Sequence, residues 1–307
     1  MTTPSDPEAR AAVGDCPMCG AGGARSHYPA QDDRRSDDTS AYRCTTTTRF
    51  RPEVFRCGQC EHWFTDPNSW PASLGGEYES LVDAEYLRMI GVKRRTFKKA
   101  ADVVCRYARP PAAILEVGSY AGIFLDEMAA RGFPITGIEP STWGAQMAQE
   151  RGHTVHQGTA EDVLAAQDSE QWDVVVSWDV IEHVPDPRQF VRLLSRAAKP
   201  GGLVVFSTLD RGNWFPRLVG RRWPWIIPMH LHYFDQEAIR RISSEAALEF
   251  VDTKPHVHYT TPSYALNRLV RMARPLPVRH TESSHLIVPI AFGDVRTFVF
   301  RRVPADT

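Results

Sequence analysis

The chain has 307 residues, of which 42% are hydrophobic and 24% charged, with a formal net charge of -1. Such a composition is that of an ordinary globular chain able to bury a substantial core, and it excludes disorder, collagen and a membrane-embedded bundle. The balanced charge also excludes the large basic excess of a protein held mainly by nucleic-acid phosphates, while leaving room for local basic patches.

The first ten residues are polar and lack the apolar core of a signal peptide. No run approaches the roughly 18 apolar residues that span a bilayer. The apolar stretch from Trp223 to Met229 is far too short. A cytoplasmic protein without a membrane span is expected.

Residues 1–14 read as a flexible tail. Residues 15–75 are rich in Cys, Gly, Thr, Arg and Asp and lack a sustained hydrophobic period, so they need a staple to fold. Two C-x-x-C pairs, Cys16/Cys19 and Cys57/Cys60, supply one, with 37 residues between them. In a reducing compartment such pairs favour metal over disulfides. Four thiolates suit tetrahedral Zn2+, and a closed thiolate shell leaves no open position, so a structural zinc is expected. Cys44 and Cys105 read as spare buried thiols.

Residues 76–110 read as a connecting helical segment, with helical periodicity from about Leu81 to Ala108 that Arg109-Pro110-Pro111 ends. From residue 111 to 307 short apolar strands alternate with helices. Strands are expected at Ala113–Val117, Pro134–Ile138, Thr154–His156, Trp172–Ser177 and Leu203–Ser207, the last entered through Pro200-Gly201-Gly202. Helices are expected at Gly122–Ala130, from Ser141 to Arg151, and from the Asp186-Pro187 cap to Ala197. Further on, Asp235 caps a helix to about Leu248, Phe250–Val257 reads as a strand, Ser263–Ala273 is amphipathic, and Val295–Arg302 closes the chain as a strand. Strands separated by helices of this length predict an α/β fold with a doubly wound, mostly parallel sheet and an antiparallel C-terminal strand, preceded by a small zinc-ribbon-like module.

The stretch from Ile114 to Leu125 ends a strand near Glu116 and passes Gly118 and Gly122 into a helix. Glycines let the backbone turn tightly beside a ligand, and a helix N-terminus offers free N–H groups. Glu139 ends the next strand, 23 residues after Glu116, where a carboxylate can accept both hydroxyls of a ribose diol. A dinucleotide site wants G-x-G-x-x-G, whereas this chain has G-x-x-x-G and an acidic Glu116 that would sit badly beside a pyrophosphate. A ligand carrying a sulfonium and an ammonium tolerates that carboxylate. The loop therefore favours S-adenosylmethionine.

Four motifs follow in order: E-x-G-x-x-x-G at Glu116–Gly122, Ile138-Glu-Pro-Ser141, the segment from Asp173 to Pro187, and Lys199-Pro-Gly-Gly202. Together they resemble class I, Rossmann-like S-adenosylmethionine-dependent methyltransferases, nearest to the small-molecule branch that includes ubiquinone-type O-methyltransferases, over roughly residues 80 to 303. The resemblance implies that Glu116, Gly118 and Gly122 wrap the methionine part and that Glu139 holds the ribose. It also implies that Ala160 and Glu161 lie beside the adenine and that Trp178 and Asp179 contact the cofactor. Tyr120 stands where the family usually has a second glycine, so its side chain must turn away from the cofactor or close over it.

Methyl transfer to oxygen needs alignment and, as a rule, a general base near neutral pKa. His183, His230 and His232 are the candidates. The resemblance also implies a second divalent metal at Asp179, Glu182 and His183, against the alternative that Glu182-His183 braces the next helix. Trp214, Trp223 and Trp225 are candidates for an aromatic wall around a small-molecule acceptor. The cysteine pairs, followed by Trp63-Phe64-Thr65-Asp66-Pro67, resemble the zinc-binding segment of bacterial sugar and natural-product methyltransferases. In that arrangement Tyr78, Tyr86 and Arg95 reach the cofactor or acceptor. O-methylation of a sugar or secondary metabolite leads, and C-methylation of a nucleotide sugar is the alternative. An RNA methyltransferase would use Arg217, Arg221, Arg222, Arg268, Arg271 and Arg274 to grip phosphate, but the net charge and the missing amino-methylation motif argue against nucleic acid. A non-catalytic zinc-stapled scaffold is suggested only by Tyr120.

Overall fold

The computed structural model describes residues 13–31, 51–70, 86, 89–165, 171–262, 265–266 and 286–304. Five parallel strands form its centre: β4 (Ile114–Val117), β5 (Ile135–Glu139), β6 (Thr154–Gln157), β7 (Trp172–Trp178) and β8 (Ala198–Leu209). β13 (Val295–Arg302) runs antiparallel to β8, and β10 (Leu248–Pro255) is antiparallel to β13, which turns it parallel to β8 again. The full order is β10-β13-β8-β7-β4-β5-β6. Because β4 pairs with β5 on one side and β7 on the other, the strand order reverses at β4. Ligands of such sheets bind at the carboxyl ends of the strands beside that reversal.

The helices cover both faces. α1 (Ile90–Tyr107) buries Ala100, Ala101 and Val104 against α2 (Ile123–Ala129) and the sheet. α3 (Thr142–Glu150) is capped by Ser141, whose hydroxyl accepts from the Gly144 amide at 3.1 Å. A short α4 (Ala160–Ala165) follows β6. α5 (Pro187–Ala197) begins at the expected cap, with Asp186 accepting from the Gln189 amide at 2.8 Å, and buries Phe190, Val191, Leu193 and Leu194. α6 (Trp214–Val219) and α7 (Gln236–Glu245) follow, the latter capped by Asp235. Phe190, Phe206, Phe298 and Phe300 lie fully inside, each stabilising the fold by roughly 1.5–3 kcal/mol of transferred surface.

Several boundaries move. β8 begins at Ala198, so Lys199-Pro200-Gly201-Gly202 is an irregularity within the strand and not a turn before it: Trp172 pairs with Ala198 and Val174 with Leu203. α7 ends at Glu245 and Leu248 opens β10. Most of the amphipathic segment Ser263–Ala273, and Cys44, Tyr78, Arg268, Arg271 and Arg274, lie outside the described residues.

The N-terminal module has its own sheet: β1 (Arg25–Tyr28), β2 (Val54–Arg56) and β3 (Trp63–Phe64), with β9 (His232–Tyr233) as a fourth strand. β9 belongs to the large domain, pairing Tyr233 with Trp63 and His232 with Phe64. The module is therefore sewn into the larger unit. Val54, Leu209, Phe215, Trp223, Ile226, Tyr233 and Val295 form one apolar cluster drawn from both parts. Two further short strands, β11 (His258–Thr260) and β12 (Val288–Ile290), pair with each other beside α1.

Candidate functional site

The loop after β4 is shaped by positive backbone angles. Gly118 and Gly122 have φ of +84° and +75°, which side chains disfavour. Both are also hemmed in: a Cβ on Gly118 would stand 2.6 Å from Val180 Cγ2, and one on Gly122 2.8 Å from the Ala148 Cβ. Tyr120, with φ of 42°, adopts the same left-handed region despite its side chain. Its ring turns to the start of α3, where it meets Tyr86 at 4.6 Å and Trp143 at 5.4 Å. Tyr120 thus joins a small aromatic cluster with Tyr86, which precedes α1, and Trp143 on α3, and Arg95 is exposed on α1.

Two buried carboxylates flank this loop. Glu139 Oε2 accepts from the Tyr120 amide at 2.7 Å and Oε1 from the Ser141 amide at 2.8 Å, so it holds the loop and the start of α3 together. Burial lifts its pKa to about 7, against the two amides, which favour the ionised form. Glu116 is pushed well above the usual carboxylate range by burial and then by the neighbouring charge of Glu139. Glu116 Oε2 and the Ser119 hydroxyl have no hydrogen-bond partner within the described residues. A buried carboxylate oxygen without a donor is a costly vacancy unless a ligand supplies one, and a ligand ammonium or hydroxyl would. Gly158 donates to the Glu139 main-chain carbonyl at 3.0 Å, which ties the loop before α4, with buried Ala160 and exposed Glu161, to the end of β5. The residues of this loop fit S-adenosylmethionine.

Trp178 departs from expectation. Its indole packs in the core, 5.1 Å from the Phe124 ring and 5.8 Å from His256, leaving its Nε1 buried without a partner among the described residues. β7 alternates its faces, and this side chain shares with Val174 and Val176 the one that packs on α1 and α2.

Beyond β7 an arc of rings lines the carboxyl edge. His183 lies 4.8 Å from His230, Trp225 lies 6.1 Å from His230 and 5.6 Å from His258, and His256 lies 4.8 Å from His258. His183 and His230 each direct Nδ1 at a backbone carbonyl, of Met229 and Trp225 respectively, both at 2.7 Å. That contact makes Nδ1 the protonated nitrogen and leaves Nε2 as the basic one. Burial lowers the His183 pKa, favouring the neutral base. Burial and then the Asp179 charge lift Glu182 to about 8, and its Oε2 accepts from Thr208 at 2.9 Å.

Two of the proposed groupings do not hold. His232 is fully buried, its Nδ1 against His62 Nε2 at 3.2 Å and its Nε2 against the Val184 carbonyl at 2.9 Å, so neither ring nitrogen is available to a substrate. Asp179 does not converge with Glu182 and His183 as one ligand set. The donor atoms of Glu182 and His183 gather with His230, and those of Asp179 with His256 and His258. His256 and His258 were missed in the sequence; an H-x-H placed just after a strand that ends at the sheet's carboxyl edge is the signal for them. Of the three tryptophans, Trp214 is exposed, Trp223 is core, and only Trp225 faces the arc. Arg217, Arg221 and Arg222 are exposed.

The four cysteines of the module converge. Cys16 Sγ lies 3.6 Å from Cys60 Sγ, and Cys19 Sγ 3.6 Å from Cys57 Sγ. Sulfurs about 2.3 Å from a tetrahedral zinc stand about 3.7 Å apart. The amides of Gln59 and Cys60 point at Cys57 Sγ at 3.4 and 3.5 Å. Burial alone would raise the Cys57 pKa, but these amides and the neighbouring thiols bring it down to about 7. The donor set and spacing fit zinc. Cys105 stands apart on α1, accepting from Arg131 at 3.5 Å.

Comparison with known proteins agrees with this geometry. A family model described as a methyltransferase domain matches residues 92–253, just over half of the chain. A ubiquinone biosynthesis O-methyltransferase of Nitrosospira multiformis is 32% identical over 164 residues, which are 52% of this chain and 61% of that protein. The enzyme of the same name from Pseudomonas syringae pv. tomato is 44% identical over 104 residues, 32% of this chain and 44% of that one. The chain thus spans about three-fifths or less of the length of these curated relatives. Among solved structures, a SAM-dependent methyltransferase from Archaeoglobus fulgidus superposes with a TM-score of 0.50 at 15% identity, covering 72% of this chain and 100% of that one. A chain of the Haloferax volcanii complex between the Trm112 methyltransferase activator and a methyltransferase gives 0.53 at 14% identity, covering 73% and 97%. At that identity the likeness is one of fold.

Proposed function

The chain belongs to the methyltransferase-domain family, and from that premise we propose that it transfers a methyl group from S-adenosylmethionine to a small organic acceptor, to oxygen on a sugar or secondary metabolite. The observation that carries the reading is the loop after β4, where Glu116 keeps a buried oxygen without a donor beside Glu139. When bound, S-adenosylmethionine supplies an electrophilic methyl on its sulfonium. Glu116 with the backbone of Gly118 and Gly122 would hold the methionine end, Glu139 the ribose, and Ala160 and Glu161 at the start of α4 the adenine, with the backbone at Asp179 closing the site. Transfer to oxygen is supported by the relatives, which are named as O-methyltransferases.

His183 and His230 are the proposed bases. Each presents Nε2 while a backbone carbonyl fixes its Nδ1 proton, the arrangement that lets an imidazole take a proton from an acceptor hydroxyl. Trp225 would form an apolar wall of the acceptor site beside them. The four cysteines would hold a structural zinc, since a closed thiolate shell offers no catalytic position.

The experiment is calorimetric titration of S-adenosylmethionine into zinc-replete protein, with NADH as control and Glu139→Ala alongside. Micromolar binding that the substitution abolishes is expected. Absence of binding, or equal binding of NADH, would overturn the reading.

A further inference from the structure

We propose that Asp179, His256 and His258 form a binding site for one divalent transition-metal ion, separate from the four-cysteine cluster. The site stands on its own geometry, whether or not the chain transfers methyl groups.

Topology brings the three together. β10 runs parallel to β8 because both are antiparallel to β13, so residues after β10 emerge at the same edge as those after β7. Asp179 directly follows β7, and His256 directly follows β10. In an extended chain, residues two apart share a face, and His256 and His258 present their rings 4.8 Å from each other. Asp179 Oδ2 stands 3.6 Å from His258 Nε2, and one ligand atom from each of the three residues lies within 4.8 Å of the others. Donors about 2.1 Å from one ion stand roughly 3.0–3.5 Å apart. Small rotamer movements close that difference.

The surroundings orient the donors as metal sites do. His256 Nδ1 is hydrogen-bonded to the Thr297 hydroxyl at 2.9 Å, which leaves Nε2 facing the cluster. The Ser207 hydroxyl donates to Asp179 Oδ1 at 2.6 Å and accepts from the Asp179 amide at 2.9 Å, so the other carboxylate oxygen is the one turned to the histidines. Asp179 is held with φ of 53°, a conformation that costs a non-glycine residue energy and that these contacts maintain. Trp178 lies beside His256 and Trp225 beside His258, giving the site two apolar walls.

Two imidazoles and one carboxylate select a borderline ion such as Zn2+, Fe2+ or Co2+ over Mg2+ and Ca2+, which prefer all-oxygen shells. Three protein ligands also leave coordination positions open, unlike the closed thiolate shell. Lys93 is the competing cation, since its charge bears on both Asp179 and His256.

The test is titration of the full chain, its cysteine cluster loaded with zinc, with Co2+ followed by visible absorption and by metal content after desalting. One extra equivalent of cobalt is expected, with nitrogen–oxygen d–d bands and no sulfur-to-cobalt charge transfer. His258→Ala and Asp179→Asn should each weaken binding tenfold or more, and Thr297→Val should weaken it with all three donors intact. Lys93→Met should tighten it, a gain that misfolding cannot imitate. His230→Ala, in the neighbouring Glu182/His183/His230 group, should leave it unchanged. No second equivalent in the wild-type chain would overturn the site. So would loss of cobalt on His230→Ala with retention on His258→Ala.

Discussion

His62 Nε2 meets His232 Nδ1 at 3.2 Å in a fully buried seam between the cysteine module and the large domain. His232 Nε2 faces the Val184 carbonyl, so it must carry the proton and its Nδ1 must accept, which makes His62 Nε2 the donor. Burial lowers the pKa of His232 to about 4 and that of His62 well below its usual value, so the pair stays neutral. The His62 carbonyl in turn accepts from the Cys57 amide at 2.9 Å. A continuous line therefore runs from the cysteine knuckle to the loop just after His183. His62→Ala leaves a buried acceptor on His232, a loss of about 1–3 kcal/mol. Replacing both rings by Leu and Phe should cost less than the two single changes added. Denaturant titration of the double-mutant cycle checks this, and additive single effects would refute the coupling.

Metal removal should reach well beyond the module. β9 completes the module's sheet from inside the large domain, and Arg188 on α5 donates to the Met18 carbonyl at 3.0 Å. A zinc site that orders the knuckles is therefore linked to the folding of both parts. Chelation, or Cys57→Ser, should lower the midpoint of a single thermal transition by ten degrees or more. Two separate calorimetric transitions, with the larger one unmoved, would show the module to be an independent appendage.

Gly118→Ala tests the cofactor loop. The new methyl would meet Val180 Cγ2 at 2.6 Å and sit on a backbone with φ of +84°. The conformational part alone costs about 1–2 kcal/mol, and the collision displaces either the loop or Val180. S-adenosylmethionine affinity should fall at least tenfold. Val180→Ala added to it should recover part of the affinity but not all, because the backbone strain remains. Calorimetry on the two variants checks the order, and a full rescue would mean that sterics alone were at work.

The features that could be read from the sequence were those set by local chemistry or short-range pattern. β4 and β7 are buried on both faces, as parallel strands in such sheets are, and came within a residue of their observed bounds. The Asp186-Pro187 cap and the closing strand at Val295–Arg302 are where their residue types require them. Glu139 at the end of β5 followed from the same regularity. What could not be read depends on partners far away in the chain. His232 is silenced by His62, 170 positions distant, and β9 is only two residues long. Trp178 was expected at the cofactor through the family resemblance alone, and its packing on Phe124 and His256 depends on partners 54 and 78 positions away. Asp179 was grouped with its sequence neighbours Glu182 and His183, whereas the return of β10 to the same edge supplies His256 and His258 instead.

The proposed hold of Glu139 on the ribose predicts that cofactor binding depends on pH. Burial raises its pKa from the ordinary 4.5 to about 7, so the free protein is largely protonated there below neutrality. Ribose hydroxyls donate to the ionised carboxylate and would lower that pKa in the complex, so binding releases a proton. The sign follows: affinity rises as pH rises through 7 and levels off above it, the gain between pH 6 and pH 8 being about tenfold for one such group. Glu139→Gln removes the titration and should give weaker binding with a flat profile over the same range. Calorimetry in buffers of different ionisation enthalpy counts the released proton directly. An unchanged slope in the Gln variant would assign the titration to another group, with Glu116, raised by burial and by the Glu139 charge, the first to replace.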